Sequence, residues 1–200
     1  MKRALRRNAL ALALAAALPS GALAGAPEAA PAPVEAPGQL VAGHFRLATS
    51  SGDIVDSDAL AGRPYGLFFG FTNCPDICPT TLSDLTLALS GLPEAAEPLR
   101  IYFVSVDPAD TVETMTRYAA HFDPRIVALG GAPAELRQAI ASFGVAVEET
   151  KLSNGASAFG HSASVVLVDA DGLIVDRTDM RDDPATMRAK LARLVGIPAL

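Results

Sequence analysis

The chain of 200 residues carries a net charge of −6 and is 50% hydrophobic, enough for one domain with a proper core plus accessory segments. Lys2, Arg3, Arg6 and Arg7 are concentrated at the start without any acid, so the rest of the chain is more acidic still. Such a surface argues against nucleic-acid binding, which needs a basic footprint.

Residues 1–24 have a basic start, an apolar run from Ala9 to Leu18, a Pro19-Ser20-Gly21 break and Ala22-Leu23-Ala24 as a small-x-small cleavage site. This pattern predicts a cleaved secretory signal peptide and a periplasmic destination. The lesser reading is an uncleaved inner-membrane anchor facing the periplasm, since the apolar run falls well short of the roughly 20 residues that span a bilayer. Residues 25–39, with Pro27, Pro31, Pro33 and Pro37 among alanines, read as a Pro/Ala-rich linker. The folded domain is expected over residues 40–200.

His44-Phe-Arg-Leu-Ala-Thr49 alternates polar and apolar, Ser50-Ser-Gly-Asp53 supplies a turn, and Ile54-Val55 resumes, which predicts a β-hairpin. His44 reads as an exposed residue at a strand start. The Phe-rich run from Tyr65 to Phe71 stops at Thr72-Asn73 and predicts a buried strand running into a loop. Cys74 and Cys78 follow, with Pro79 suited to a first helical turn, so a helix should begin near Cys78. Leu82, Leu85, Leu89 and Leu92 continue it as an amphipathic helix closed by Gly91 and Pro93.

Arg100 to Asp107 is a strongly apolar strand, and a helix over 111–122 is predicted with Thr111 as its cap. Ile126-Val-Ala-Leu129 reads as a short strand, and 133–143 as another helix ending at Gly144. Val145 to Val147 starts a strand, Lys151 to Gly160 reads as a polar loop, and His161 to Val168 as the next strand. Asp169-Ala-Asp171-Gly172 turns it into Leu173 to Arg177, a second hairpin, before a last helix from Pro184 to about Val195. The expected fold is α/β: a central mixed sheet flanked by helices, with one hairpin in front and one late in the chain.

Cys74 and Cys78 are the two cysteines of the chain. Partial positive charge at a helix start favours thiolate at both, the form needed for metal binding or exchange. In an oxidising compartment a structural disulfide is the simplest expectation. A bridge closing so short a loop restricts the unfolded chain very little, which weakens that expectation. Two soft thiolates suit Cu(I), Zn(II) or thiol exchange. Of the three histidines, His121 falls near a helix end where it caps or packs, whereas His161 follows a loop and opens a strand, a place from which functional groups are presented. Asp76, between the cysteines, is a candidate to tune the pair or an ordinary solvated loop carboxylate. Met115, Met180 and Met187 show no clustering around the motif, and helix packing accounts for Met115 and Met187.

Phe69-Gly-Phe-Thr-Asn-Cys74-Pro-Asp-Ile-Cys78-Pro-Thr-Thr81 resembles the signature of the Sco/SenC family of copper chaperones. Val104-Ser-Val-Asp107-Pro108, Gly160-His161-Ser162 and Val168-Asp-Ala-Asp-Gly172 support it. The resemblance implies a thioredoxin-like fold that holds one copper ion per chain, as Cu(I) and also as Cu(II), through Cys74, Cys78 and His161. It further implies a role in assembling the binuclear copper site of cytochrome c oxidase, by delivering copper or by reducing that site's cysteines. Its partners would be the copper-site subunit of the oxidase or another periplasmic cuproprotein, together with a periplasmic thiol reductase, and no small-molecule substrate is implied. The sequence departs from the family in having Asn73 before the first cysteine, where histidine is frequent, and Gly160 before the histidine.

Two other functions use the same residues. One is a periplasmic thiol-disulfide oxidoreductase working through Cys74 and Cys78 without metal. Thioredoxins place a proline before the strand facing the dithiol, and none occurs between Gly155 and Thr178. The other is a copper or redox sensor.

Overall fold

The computed structural model describes residues 40–151, 157–161, 164–179 and 181–198. The expected leader and linker, residues 1–39, lie outside the described residues, as does Met180.

A six-stranded mixed sheet organises the domain, in the order β1-β10-β9-β4-β5-β6. Its centre is β4 (Tyr65–Gly70), buried at every position. Strands buried on both faces need continuous apolar sequence, and Tyr-Gly-Leu-Phe-Phe-Gly supplies it. β5 (Arg100–Ser105) and β6 (Ile126–Leu129) run parallel to β4. β9 (Val165–Val168) flanks β4 on the other side in antiparallel register, followed by β10 (Leu173–Thr178) and the two-residue β1 (Leu40–Val41). Tight packing across the centre comes from the stacked rings of Phe68 and Phe103, with centroids 5.5 Å apart.

The predicted hairpins form as β2 (Arg46–Ala48) with β3 (Ile54–Asp56), and as β9 with β10, whose turn contains Gly172 at φ 77°. The first is tied to the end of β6 by paired backbone hydrogen bonds between Ala48 and Gly130. A third hairpin, β7 (Val147–Lys151) with β8 (Ser157–His161), occupies part of the stretch read as a loop. Its residues are polar enough to pass for a loop, yet the antiparallel register from Val147↔His161 to Lys151↔Ser157 is continuous.

Helices connect the strands. α1 (Ile77–Ser90) starts earlier than the leucine periodicity implied and packs on α4 (Pro184–Leu194). α2 (Val112–Ala119) is capped by the Thr111 hydroxyl, which accepts from the Thr114 amide, and lies along β6 and β5. α3 (Pro133–Ser142) ends before Gly144, whose φ of 63° needs no Cβ. Asp183 caps α4 by accepting from the Thr186 amide, as the Asp-Pro opening predicts. Met115 and Met187 are core residues.

Candidate metal centre

β4 ends at Gly70 and passes Phe71, Thr72 and Asn73 into the loop before Cys74. Because β4 and β5 are parallel neighbours, the loops at their C-terminal ends meet at the same edge of the sheet, the usual place for a site in such a fold. Asp110, in the loop after β5, fastens the two together. Its carboxylate accepts hydrogen bonds from the Thr72 amide at 2.9 Å, from the Thr72 hydroxyl, and from the Ser105 hydroxyl at 2.7 Å. The sequence reading missed Asp110. Its signal was positional: an acid just beyond the end of an apolar parallel strand.

α1 then begins with Asp76 at its N-cap, but the Asp76 side chain makes no capping hydrogen bond and is exposed. The first amides of a helix have no intrahelical acceptor. Here the Cys78 amide donates to Cys74 Sγ at 3.4 Å, so sulfur stands where a capping oxygen usually would. The Asp76 carbonyl accepts from both the amide and the hydroxyl of Thr80. Asp76 therefore shapes the turn through its backbone.

Cys74 and Cys78 are not joined in a disulfide; Cys74 is half-buried and Cys78 fully buried. Gly70 allows this depth. A Cβ there would stand 2.9 Å from the Phe103 ring, 3.0 Å from Cys78 Sγ and 3.1 Å from the Phe68 ring. Burial pushes the Cys78 thiol up to about 12, and a backbone hydrogen bond from Phe71, acting in the opposite sense, does not offset it; Cys74 and Asp110 push it further in the same direction as burial. The expectation that the helix start makes Cys78 a thiolate is thus corrected. Desolvation outweighs the helix field at this depth.

This has a measurable consequence. Were Cys78 to ligate a metal ion, it would do so as thiolate, and loading would displace its proton. Apparent metal affinity should rise with pH across the neutral range by about tenfold per unit for that proton. The rise ends only as pH approaches the raised value of about 12. Competition titrations at several pH values check this, and an affinity independent of pH would contradict it.

His161 closes β8, paired with Val147 of β7. It was expected to open the next strand; instead it ends the extra hairpin, and β9 begins at Val165. Its side chain lies outside the described residues. The strand that carries it is nonetheless fixed to the cysteine loop. Phe159, two residues earlier in β8, sets its ring edge-on to Phe71 with centroids 5.5 Å apart. Phe71 is also the residue whose backbone bonds Cys78.

The other two histidines are placed differently. His121 is exposed just beyond α2. His44 Nδ1 gathers with the carboxylates of Asp56 and Asp58. These atoms already have structural partners. Ser57 Oγ lies 3.1 Å and Asp58 3.2 Å from His44 Nδ1, Asp56 accepts from the Asp58 amide, and Arg46 faces Asp56.

Two sulfur donors, one half-open to solvent, fit a soft metal ion better than a hard one. Tyr118 Oη has no hydrogen-bond partner among the described residues.

A mixed sheet with a Cys-x-x-x-Cys pair at the start of the helix that follows its central strand defines a thioredoxin-like dithiol protein. Residues 34–196 match the SCO1/SenC family, and the chain belongs to that family. It is 38% identical over 141 residues to the mitochondrial SCO2 homologue of Danio rerio, covering 67% of this chain and 50% of that protein. The SCO2-like protein RP587 of Rickettsia prowazekii is 32% identical over 135 residues, 66% of each chain. The chain therefore spans between half and two thirds of the length of these relatives. Among solved structures, Bradyrhizobium japonicum ScoI with copper bound superposes with a TM-score of 0.71 at 35% identity, covering 78% of this chain and 99% of that one. Copper-bound yeast Sco1 gives 0.68 at 29% identity, covering 78% and 88%.

Proposed function

We propose that this protein is a periplasmic copper chaperone. Reduced Cys74 and Cys78, joined by His161, hold one Cu(I) and also accept Cu(II). The observation that carries this reading is the geometry at the start of α1, where the Cys78 amide donates to Cys74 Sγ and brings two unbridged cysteines together, in a chain whose structural relatives include copper-bound members of its family. The fastening of β8 to Phe71 supports the inclusion of His161, since it joins the strand that ends there to the cysteine loop. The signal-peptide pattern of residues 1–24 supports export. Among the described residues no helix is long and apolar enough to cross a membrane.

The cargo is copper, and the chemistry is ligand exchange. A site of three ligands with one half-exposed sulfur lets an incoming thiolate bind before an outgoing one leaves. The recipient is accordingly a protein with its own thiolate copper site, and family membership points to the binuclear copper site of cytochrome c oxidase. Asp76, exposed at the N-cap of α1 between the two cysteines, is available to a docking partner.

Loss of the histidine tests the ligand set. His161→Ala should lower Cu(I) affinity by more than the roughly 10- to 100-fold seen when a residue outside the coordination sphere is removed. It should leave apo-protein stability unchanged, because the residue ends an outlying hairpin. A competition titration beside a thermal melt measures both. Equal affinities for variant and wild type would remove His161 from the ligand set and favour a dithiol working without metal.

A further inference from the structure

A cavity of about 300 Å³ lies at the opposite edge of the sheet from the cysteines, where β4 begins at Tyr65. The length of β4, roughly 17 Å, separates it from Gly70 and the cysteine loop. One wall is the helical turn Ser57–Leu60, and the other is the turn joining β9 to β10. Backbone hydrogen bonds tie the two sides together: the Gly62 amide donates to the Ala170 carbonyl and the Ala42 amide to the Gly172 carbonyl, both at 2.9 Å. The cavity is therefore preformed.

Asp58, Asp169 and Asp171 line it, and no basic side chain does. Carboxylates alone would mark only a solvated acidic surface. Tyr65 adds a different kind of observation. It also lines the cavity, is only 4% exposed, and its hydroxyl makes no hydrogen bond among the described residues. Buried hydroxyls nearly always have a partner, and the cavity is the open side from which one can come. The ring is held by Phe45 and Tyr102, with centroids 6.0 Å and 5.8 Å away. Burial raises the phenol above its usual range, and Tyr102 and the Asp58 carboxylate push the same way, so phenol and carboxylate lie within electrostatic reach.

We propose that this cavity binds a small alkylammonium ion, a primary amine on a short apolar chain. An ammonium group has three donors and no acceptor, which suits a site of carboxylates and a phenol oxygen. Leu60, Ala61 and Val41 cover the carbon chain. A bare metal ion fits less well. Asp169 Oδ1 already accepts from the Asp171 and Leu173 amides, Asp58 Oδ1 lies 3.2 Å from His44 Nδ1, and the volume is that of a small-molecule site. The site is independent of the copper reading above.

Titration of the full-length protein with 1,5-diaminopentane, followed through the backbone amide signals of Tyr65 and Gly172, tests the assignment. Parallel titrations use 1-pentanol, which has the chain without the charge, and Mg2+, which has the charge without the chain. The diamine should bind saturably at one equivalent and more weakly as salt rises, and neither comparator should reproduce its shifts. Tyr65→Phe keeps the ring and removes the oxygen, and Asp171→Asn removes one charge from an exposed turn. Each should weaken amine binding about tenfold and leave Cu(I) affinity unchanged. No saturable shift with the diamine, equal binding in wild type and both variants, or the same shifts from 1-pentanol or Mg2+ would overturn the proposal.

Discussion

Cys78→Ser is expected to abolish stoichiometric Cu(I) retention, weakening it by at least about a thousandfold, or about 4 kcal/mol. A hydroxyl is a hard donor that keeps its proton, and it cannot replace thiolate for a soft ion. Serine would also bury a hydroxyl in a pocket lined by Phe68 and Phe103, so Cys78→Ala serves as the companion variant. Removing one buried sulfur leaves a small void, costing on the order of 1 kcal/mol or slightly more. The alanine variant should therefore fold and still release its copper. Anaerobic gel filtration with metal analysis, beside circular dichroism, separates the two effects. Folded Cys78→Ala that kept copper as wild type does would sink the assignment of Cys78 as a ligand.

Asp123→Ala should give the largest loss of stability, roughly 3–5 kcal/mol, the range found when one partner of a buried ion pair is removed. The Asp123 carboxylate holds the Arg125 guanidinium through two hydrogen bonds of 2.8 and 2.7 Å, and both side chains are about nine-tenths buried. The Asp123 amide also donates to the hydroxyl of Thr86 in α1. This corner therefore ties the helix that carries Cys78 to the start of β6. Burial alone would push the Asp123 carboxyl up; the hydrogen bonds and charge of Arg125 outweigh it and hold the carboxyl below its usual range. The sign follows. A carboxyl depressed in the folded state stabilises the protein above its unfolded value of about 3.9, and that contribution is lost as pH falls through the folded value. Wild type should lose stability steeply in strong acid, and Asp123→Ala should lack that component. A denaturant series at neutral and acid pH checks both, and a variant as stable as wild type would show that the pair contributes nothing.

The elements that sequence predicted well are those whose local chemistry and burial agree. Tyr65 to Phe71 is apolar throughout and forms the central strand; Thr111 and Asp183 have cap chemistry and cap their helices. The hairpin carrying His161 escaped because Glu148, Glu149 and Thr150 are exposed, leaving too few apolar side chains to mark an alternating face. The start of α1 at Ile77 falls within a residue of the beginning near Cys78 that Pro79 predicted, although the leucine pattern alone starts later. Leucine spacing reports the core-facing part of a helix, while its first turn is fixed by Cys74 sulfur and the Asp76 carbonyl. The cysteines themselves were legible from the motif. What surrounds them was not, because Asp110 is brought to the cysteine loop by strand order: β5 lies beside β4. Depth was equally hidden. Helix-start charge suggested a thiolate at Cys78, and only packing against Gly70 and the two rings reveals the opposing desolvation.

The central claim, one soft metal ion held by the Cys74 and Cys78 pair, is tested most directly by an anaerobic Cu(I) titration of the fully reduced protein against a competing chelator. The account predicts a single equivalent bound per chain, tightly enough to draw copper from the chelator and lost in either cysteine variant. Copper bound without a stoichiometric end point, or bound equally by wild type and Cys74→Ser, would contradict it.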